Sequence, residues 1–327
     1  MHSTIISDSS IVIGLLARDC ERKLPMNIPR IEALGEFFRE YHVIAYENDS
    51  VDGTKKLLLK WMHDNPNVIS ICETTGEQTI PQESKSVLFP SQSLHRITRM
   101  ASFRNRVLNE LRKRFCPDLF CFIDVDMESF NPQDIIRGIE HAPKDWGALF
   151  ANGQIIIDYG THTCTNPIQY DYYAYFKQGM NPYLSEDYTI RLKDNFAIAW
   201  VEQRRINRHS YHPCYSAFNG IGIYRWDVVK DLNYKAYQTP ELKEVQASLC
   251  EHVLFNYEII KRGYKLYVVR ELKTIMRYDK AHVHHGLSKW KNYCPSYGFL
   301  KNNKAVIPLI FKYYFPSIYH FFTSNRI

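Results

Sequence analysis

The chain has 327 residues, 45% hydrophobic and 23% charged, an ordinary globular composition with enough chain for one large domain or two subdomains. A net charge of +6 suits an anionic substrate or a membrane surface and is too small to argue for nucleic acid. No run of 18 or more apolar residues occurs, so no transmembrane helix is expected; eight cysteines without a Cys-x-x-Cys pair argue against zinc and point to reduced thiols in the cytosol.

Residues 11–17, Ile-Val-Ile-Gly-Leu-Leu-Ala, read as a core strand running into Arg18 and Asp19; the segment before them lacks the basic region of a signal peptide. A helix is expected over about 28–41, with Ile31, Leu34, Phe37 and Phe38 on one face. Residues 43–46 form a second strand, 49–54 a turn, 55–63 a helix and 68–72 a third strand. Residues 73–93 are polar, contain Pro81 and Pro90, and read as a long loop of the kind that is often functional. A long helix covers about 97–115, with Ile97, Met100, Ala101, Val107, Leu108 and Leu111 on its apolar stripe. The buried strand 119–123 follows and ends at Asp124-Val125-Asp126.

Strands alternating with helices imply an α/β protein with a mostly parallel central sheet and right-handed crossovers. Ligands of such sheets bind at the C-terminal strand edges, so the loops after Ala17, Tyr46 and Ile123 should share one crevice. The second half is less regular. Residues 158–215 are rich in Tyr and Asn and read as loops and short strands lining a pocket. Residues 216–224 form a tight turn into a strand, 253–262 a helix and 265–269 a strand.

Two carboxylates mark the first candidate site. Side chains alternate along an extended chain, so Asp124 and Asp126 point the same way. Carboxylates facing one point repel unless a cation lies between them, and their hard oxygens suit Mg²⁺ or Mn²⁺. A metal so placed could bind a diphosphate. Glu47 and Asp49 sit in the turn 47–54, which reads either as a strand-to-helix turn capped by Thr54 or as acidic side chains set for ribose hydroxyls or a base edge. Arg96, Arg99, Arg104 and Asn105 stud the long helix; they form a solvated basic face, or Arg104-Asn105 reaches a nucleotide or diphosphate.

The turn Glu47 to Thr54, the helix segment Ala101-Ser102-Phe103-Arg104-Asn105 and the strand end Phe122-Ile123-Asp124-Val125-Asp126 together resemble nucleotide-sugar glycosyltransferases of the GT-A fold. Ala151-Asn152-Gly153, Tyr170-Asp171-x-x-Ala174, the stretch Ser216 to Tyr224 and Cys250-Glu251-His252-Val253 are similar to a branch of bacterial and fungal capsule-associated mannosyltransferases. The resemblance covers about residues 11–285. It implies a single catalytic domain over 1–300, with a nucleotide-binding half of about 1–150 and an acceptor half of about 151–300.

The resemblance also implies roles. Asp124 and Asp126 would hold the divalent ion that bridges the diphosphate of a nucleoside-diphosphate sugar. Arg18, Asp49 and Arg104 would line the nucleotide pocket, and Asn219-Gly220 would shape the sugar site, where glycine allows close backbone approach. Glu251 would face the acceptor, a glycan or a lipid-linked sugar, as general base in an inverting enzyme; the mannosyltransferase-like branch would instead retain configuration. A further metal ligand would come from His282, His284 or His285, with His284 preferred.

Residues 306–322 are aromatic, interrupted by two prolines and flanked by Lys301, Lys304, Lys312 and Arg326. The tail, 301–327, reads either as an interfacial anchor on the inner face of a membrane or as a segment packed on the core. Two rivals stand beside the glycosyltransferase. A nucleotidyltransferase would usually carry a Gly-rich basic loop where Arg18-Asp19-Cys20-Glu21 has no glycine, and a non-catalytic carbohydrate-binding protein would not need the aspartate pair.

Overall fold

The apolar runs of the first half pair as parallel strands. β1 (Ser10–Ala17) lies between β2 (Glu40–Asn48) and β4 (Leu119–Asp124), and β3 (Val68–Glu73) flanks β2. The computed structural model describes residues 6–78, 80–85, 87, 89–158, 163–166, 171–183 and 202–279. Both faces of β1 and β4 are covered, which explains their unbroken apolar sequences. Val12, Phe120 and Phe122 enter one core, while Ile11, Ile13, Cys121 and Ile123 enter the other. Each fully buried side chain of this size contributes about 1.5–3 kcal/mol.

The crossover helices differ from expectation mainly at their ends. α1 spans Leu24–Gly35 and stops short of the expected end; the chain turns at 36–39 so that Glu40 can join β2. α2 (Thr54–Asp64) is capped by Gly53 rather than by Thr54, whose hydroxyl accepts the Cys20 N–H at 2.6 Å. α3 (Leu94–Arg114) starts at Ser93, whose hydroxyl accepts the Arg96 N–H at 3.3 Å. Its buried face is Ile97, Ala101, Arg104, Val107, Leu108 and Leu111, so an arginine occupies a position on the apolar stripe. Gly14 lets this helix approach β1: a Cβ there would lie 2.8 Å from Val107 Cγ1.

Beyond β4 the sheet becomes mixed. Its order is β3-β2-β1-β4-β10-β6-β11-β9-β8, and β10 (Ile221–Arg225) runs antiparallel to both β4 and β6. β6 (Trp146–Asp158) and β11 (Lys265–Asp279) form a long parallel pair with a register shift between Val268 and Lys273. β5 (Ser129–Phe130) pairs with β11, β7 (Thr163–Asn166) with β6, and β8 (Phe176–Lys177) with β9 (Tyr211–Ser216). Two further helices, α4 (Pro132–Glu140) and α5 (Glu251–Lys261), complete the elements used below. No helix among the described residues is long and apolar enough to cross a membrane. The histidines 282, 284 and 285 and the tail 301–327 lie outside the described residues.

Candidate active site

The C-terminal ends of β1 and β4 and the N-terminus of α5 open onto one cavity of about 320 Å³. This crevice lies where β1 sends its neighbours to opposite sides, the usual ligand position in such sheets. Arg18, Arg104, Asp124, Asp126 and Glu251 all line it, as do Arg96, Asp171, Phe218 and His252. Glu47, Asp49, Asn219 and Gly220 do not.

The aspartate pair reaches the cavity by a different route from simple alternation. β4 ends at Asp124, and Asp126 lies in the turn that follows. Val125 is buried, and the wholly buried Asn27 of α1 donates to the Val125 and Met127 carbonyls at 2.8 and 2.9 Å. That clamp turns Asp126 outward, where it is exposed. The Asp124 N–H donates to the Gly220 carbonyl at 2.8 Å. Crowding by protein, together with the Asp126, Asp171 and Glu251 charges, lifts the Asp124 carboxyl above the usual range despite Arg104. The protein crowded around its carboxylate does the same to Asp126, although the residue as a whole is exposed. A divalent cation would relieve both, and two hard carboxylates are suitable ligands for Mn²⁺ or Mg²⁺. Among the described residues no third His, Cys, Asp or Glu joins them, so the remaining oxygens would come from water, from a diphosphate or from outside that set.

Arg104 is the hub of the inner end. It is only 4% exposed, as is Glu251. Its Nε donates to Glu251 Oε1 at 2.9 Å, and its Nη2 lies 3.8 Å from Asp124 Oδ1. The guanidinium sits 4.8 Å and 4.9 Å from the Phe122 and Phe218 ring centres. Its Nη1 is buried without a hydrogen-bond partner among the described residues. His252, beside Glu251, stacks on Phe218 at 3.9 Å; its Nε2 lies 3.8 Å from Glu251 Oε1, and neither ring nitrogen has a hydrogen-bond partner among the described residues. Burial, with Arg104 nearby, holds this imidazole neutral.

The expected residues outside the cavity hold its walls. Glu47 is buried and accepts the Ser50 N–H at 2.8 Å. Asp49 accepts from the Thr75 and Gly76 N–H groups, each at 2.9 Å, and from Glu77 N–H at 3.3 Å. Burial works against its charge, yet these bonds and those from Thr75 Oγ1 and Asn48 hold its carboxyl well below the usual range. Asp49 therefore ties the loop after β3 to the end of β2, with its own carboxylate fully engaged. Asn219 is fully buried at φ +55°; its Nδ2 donates to the Ala151 carbonyl at 2.8 Å, and its Oδ1 accepts the Asp171 N–H at 3.3 Å. Gly220, at φ +84°, completes the turn that receives Asp124.

Asp171, absent from the expected site residues, is half-buried and lines the cavity. Burial, then the nearby Glu251 charge, pushes its carboxyl up to about 6. The Asp171-x-x-Ala174 spacing was the available signal: Asp171 Oδ1 accepts the Ala174 N–H at 3.3 Å and shapes the turn. Arg96 stands among the basic residues of the long helix and His252 in the Cys250-Glu251-His252-Val253 stretch, but neither pattern by itself assigns the residue to the cavity.

No family model matches the sequence, and no curated protein matches it either. Solved structures are similar in shape. The mannosyltransferase PcManGT from Pyrobaculum calidifontis, solved with GDP-Man and Mn²⁺, is 9% identical over 82% of this chain and 56% of its own, with a TM-score of 0.43. TarS residues 1–349 from S. aureus are 14% identical over 82% and 60%, with a TM-score of 0.43. GalNAc-T7, solved with UDP, GalNAc and Mn²⁺, is 12% identical over 83% and 44%, with a TM-score of 0.44. The chain thus spans less than two thirds of each of these structures. Similarity at this level concerns the general path of the backbone and assigns no residue a role.

Proposed function

We propose that this protein is a metal-dependent glycosyltransferase that moves a sugar from a nucleoside-diphosphate sugar to a hydroxyl of a glycan or lipid-linked acceptor. The observation that carries the reading is the convergence of Asp124, Asp126, Arg18, Arg96 and Arg104 on one cavity at the C-terminal strand edge. Carboxylates alone suit a cation and guanidiniums alone suit an anion; both together suit a metal-bound diphosphate. The cavity volume is at the lower end of the range for small-ligand sites. The motif resemblance supports the same reading, including the hexose-transferring branch.

In this reading Asp124 and Asp126 hold Mn²⁺ or Mg²⁺, which when bound neutralises charge on the departing diphosphate. Arg18 and Arg96 hold the donor's phosphate oxygens, and Arg104 sets the potential at the inner end. Phe218 and Tyr173 supply aromatic surface to the same cavity. We place the reaction in the cytosol, consistent with six free cysteines among the described residues, with the tail 301–327 as the membrane contact.

Thermal shifts with GDP, UDP and their common sugars, with and without Mn²⁺, test the reading. A metal-dependent shift for one nucleotide is expected, and Asp126→Asn should abolish the metal-dependent part without lowering the apo melting temperature. A wild-type protein that gives no metal-dependent shift with any nucleotide overturns the proposal.

A further inference from the structure

We infer that Asp171, rather than Glu251, is the general base that takes the acceptor's proton, and that Glu251 is the positioning residue of Arg104. The inference rests on the glycosyl-transfer reading above and deepens it.

Three groups at the inner end could accept a proton. Glu251 is fully committed: Oε1 accepts from Arg104 Nε at 2.9 Å, and Oε2 faces Cys250 Sγ at 3.5 Å. Protonating it would break a buried ion pair and strand the guanidinium charge, an unfavourable step. His252 is 1% exposed, stacked on Phe218 and held neutral, so an incoming hydroxyl has little access to it.

Asp171 differs from both. It is half-buried and faces the cavity, and only Oδ1 is used, by the Ala174 N–H. Among the described residues nothing donates to Oδ2. Its carboxyl titrates near 6, where a base can both hold and release a proton.

The position of Asp171 is fixed from behind. Its N–H is held by Asn219, and the neighbouring Gly220 carbonyl holds the N–H of Asp124. One left-handed turn therefore sets the base relative to the metal-binding strand end. The step balances as a single displacement. The acceptor O–H proton passes to Asp171 Oδ2 while the acceptor oxygen bonds to the anomeric carbon. The bond from that carbon to the diphosphate oxygen breaks, and its electron pair leaves on the diphosphate. One displacement inverts the anomeric configuration.

The test uses the full chain with Mn²⁺ and a panel of GDP-mannose, UDP-glucose and UDP-N-acetylglucosamine, water serving as acceptor. Asp171→Asn and Asp171→Ser, the second of which keeps an oxygen for the Ala174 N–H, should lose about 10²–10⁴-fold in donor hydrolysis. Both should keep the Mn²⁺-dependent thermal shift with nucleotide. Azide, a nucleophile with no proton to lose, should restore nucleotide release in these variants and give the inverted glycosyl azide. Glu251→Gln should not be rescued. Wild-type hydrolysis in both Asp171 variants, loss of the nucleotide shift in both, azide rescue of Glu251→Gln in place of the Asp171 variants, or a retained anomer each overturns the inference. A wild-type protein that binds Mn²⁺ and nucleotide but hydrolyses no donor overturns this inference alone. One that neither binds nor hydrolyses overturns the glycosyltransferase reading with it.

Discussion

Replacing Arg104 by methionine should be among the most destabilising single changes at the site. The side chain is 4% exposed and satisfies Glu251, also 4% exposed, through a 2.9 Å bond. Methionine fills a similar volume between Phe122 and Phe218, so the main loss is charge and not packing. Glu251 would remain buried without its cation, and Asp124 would lose a partner 3.8 Å away. Breaking one side of such a pair costs about 3–5 kcal/mol. Removing both charges, as Arg104→Met with Glu251→Met, leaves no orphan and should cost much less than the sum of the single changes, with a coupling energy of up to about 3 kcal/mol. Urea unfolding followed by circular dichroism, with equal m-values across the set, measures the cycle. Strict additivity, or an Arg104→Met cost below about 1 kcal/mol, would show that the pair is hydrated and that the inner end is not the low-dielectric pocket described here.

Two further outcomes follow from the turn and the base. Asn219→Ala removes buried bonds to Ala151 and Asp171 and leaves a residue without a local side-chain partner at φ +55°. It should cost about 2–4 kcal/mol in urea unfolding, with Asn219→Gly recovering only the backbone part; a cost near zero for both would refute the anchoring role. Asp171 has its native carboxyl raised to about 6 from an ordinary 3.8, so its ionisation opposes folding as pH rises through 6. Asp171→Asn should therefore melt above the wild type at pH 8, and the gap should close as pH falls from 6 towards 4. A gap that stays constant or widens in acid would refute the assignment.

Much of the crevice was legible because its elements are local. The apolar runs of β1 and β4 are strands buried on both faces, and a strand that ends in Asp124 places that carboxylate at the sheet edge wherever the sheet packs. The helix stripe is equally readable: the spacing puts Arg104 between Ala101 and Leu108 on the buried face, although the residue type by itself leaves a solvated basic face and a nucleotide-facing guanidinium both open. β6 and the far half of β11 were missed. Gly147, Asn152 and Gly153 interrupt one, and Arg270, Glu271 and Lys273 the other, and only their mutual pairing makes them strands.

By itself the sequence determined an alternating α/β half, a C-terminal strand edge and an aspartate pair placed on it, since periodicity and chain order are local properties. Only the tertiary structure decided which polar groups are consumed and which are left to act. Glu47, Asp49, Asn219 and Glu251 look equally available in one dimension, but each is engaged by a partner: Glu47 by Ser50, Asp49 by Thr75 and Gly76, Asn219 by Ala151 and Asp171, and Glu251 by Arg104. Burial makes those partnerships compulsory, because an unpaired polar group in the core is costly, and among the described residues it leaves Asp171 facing the cavity with an oxygen to spare.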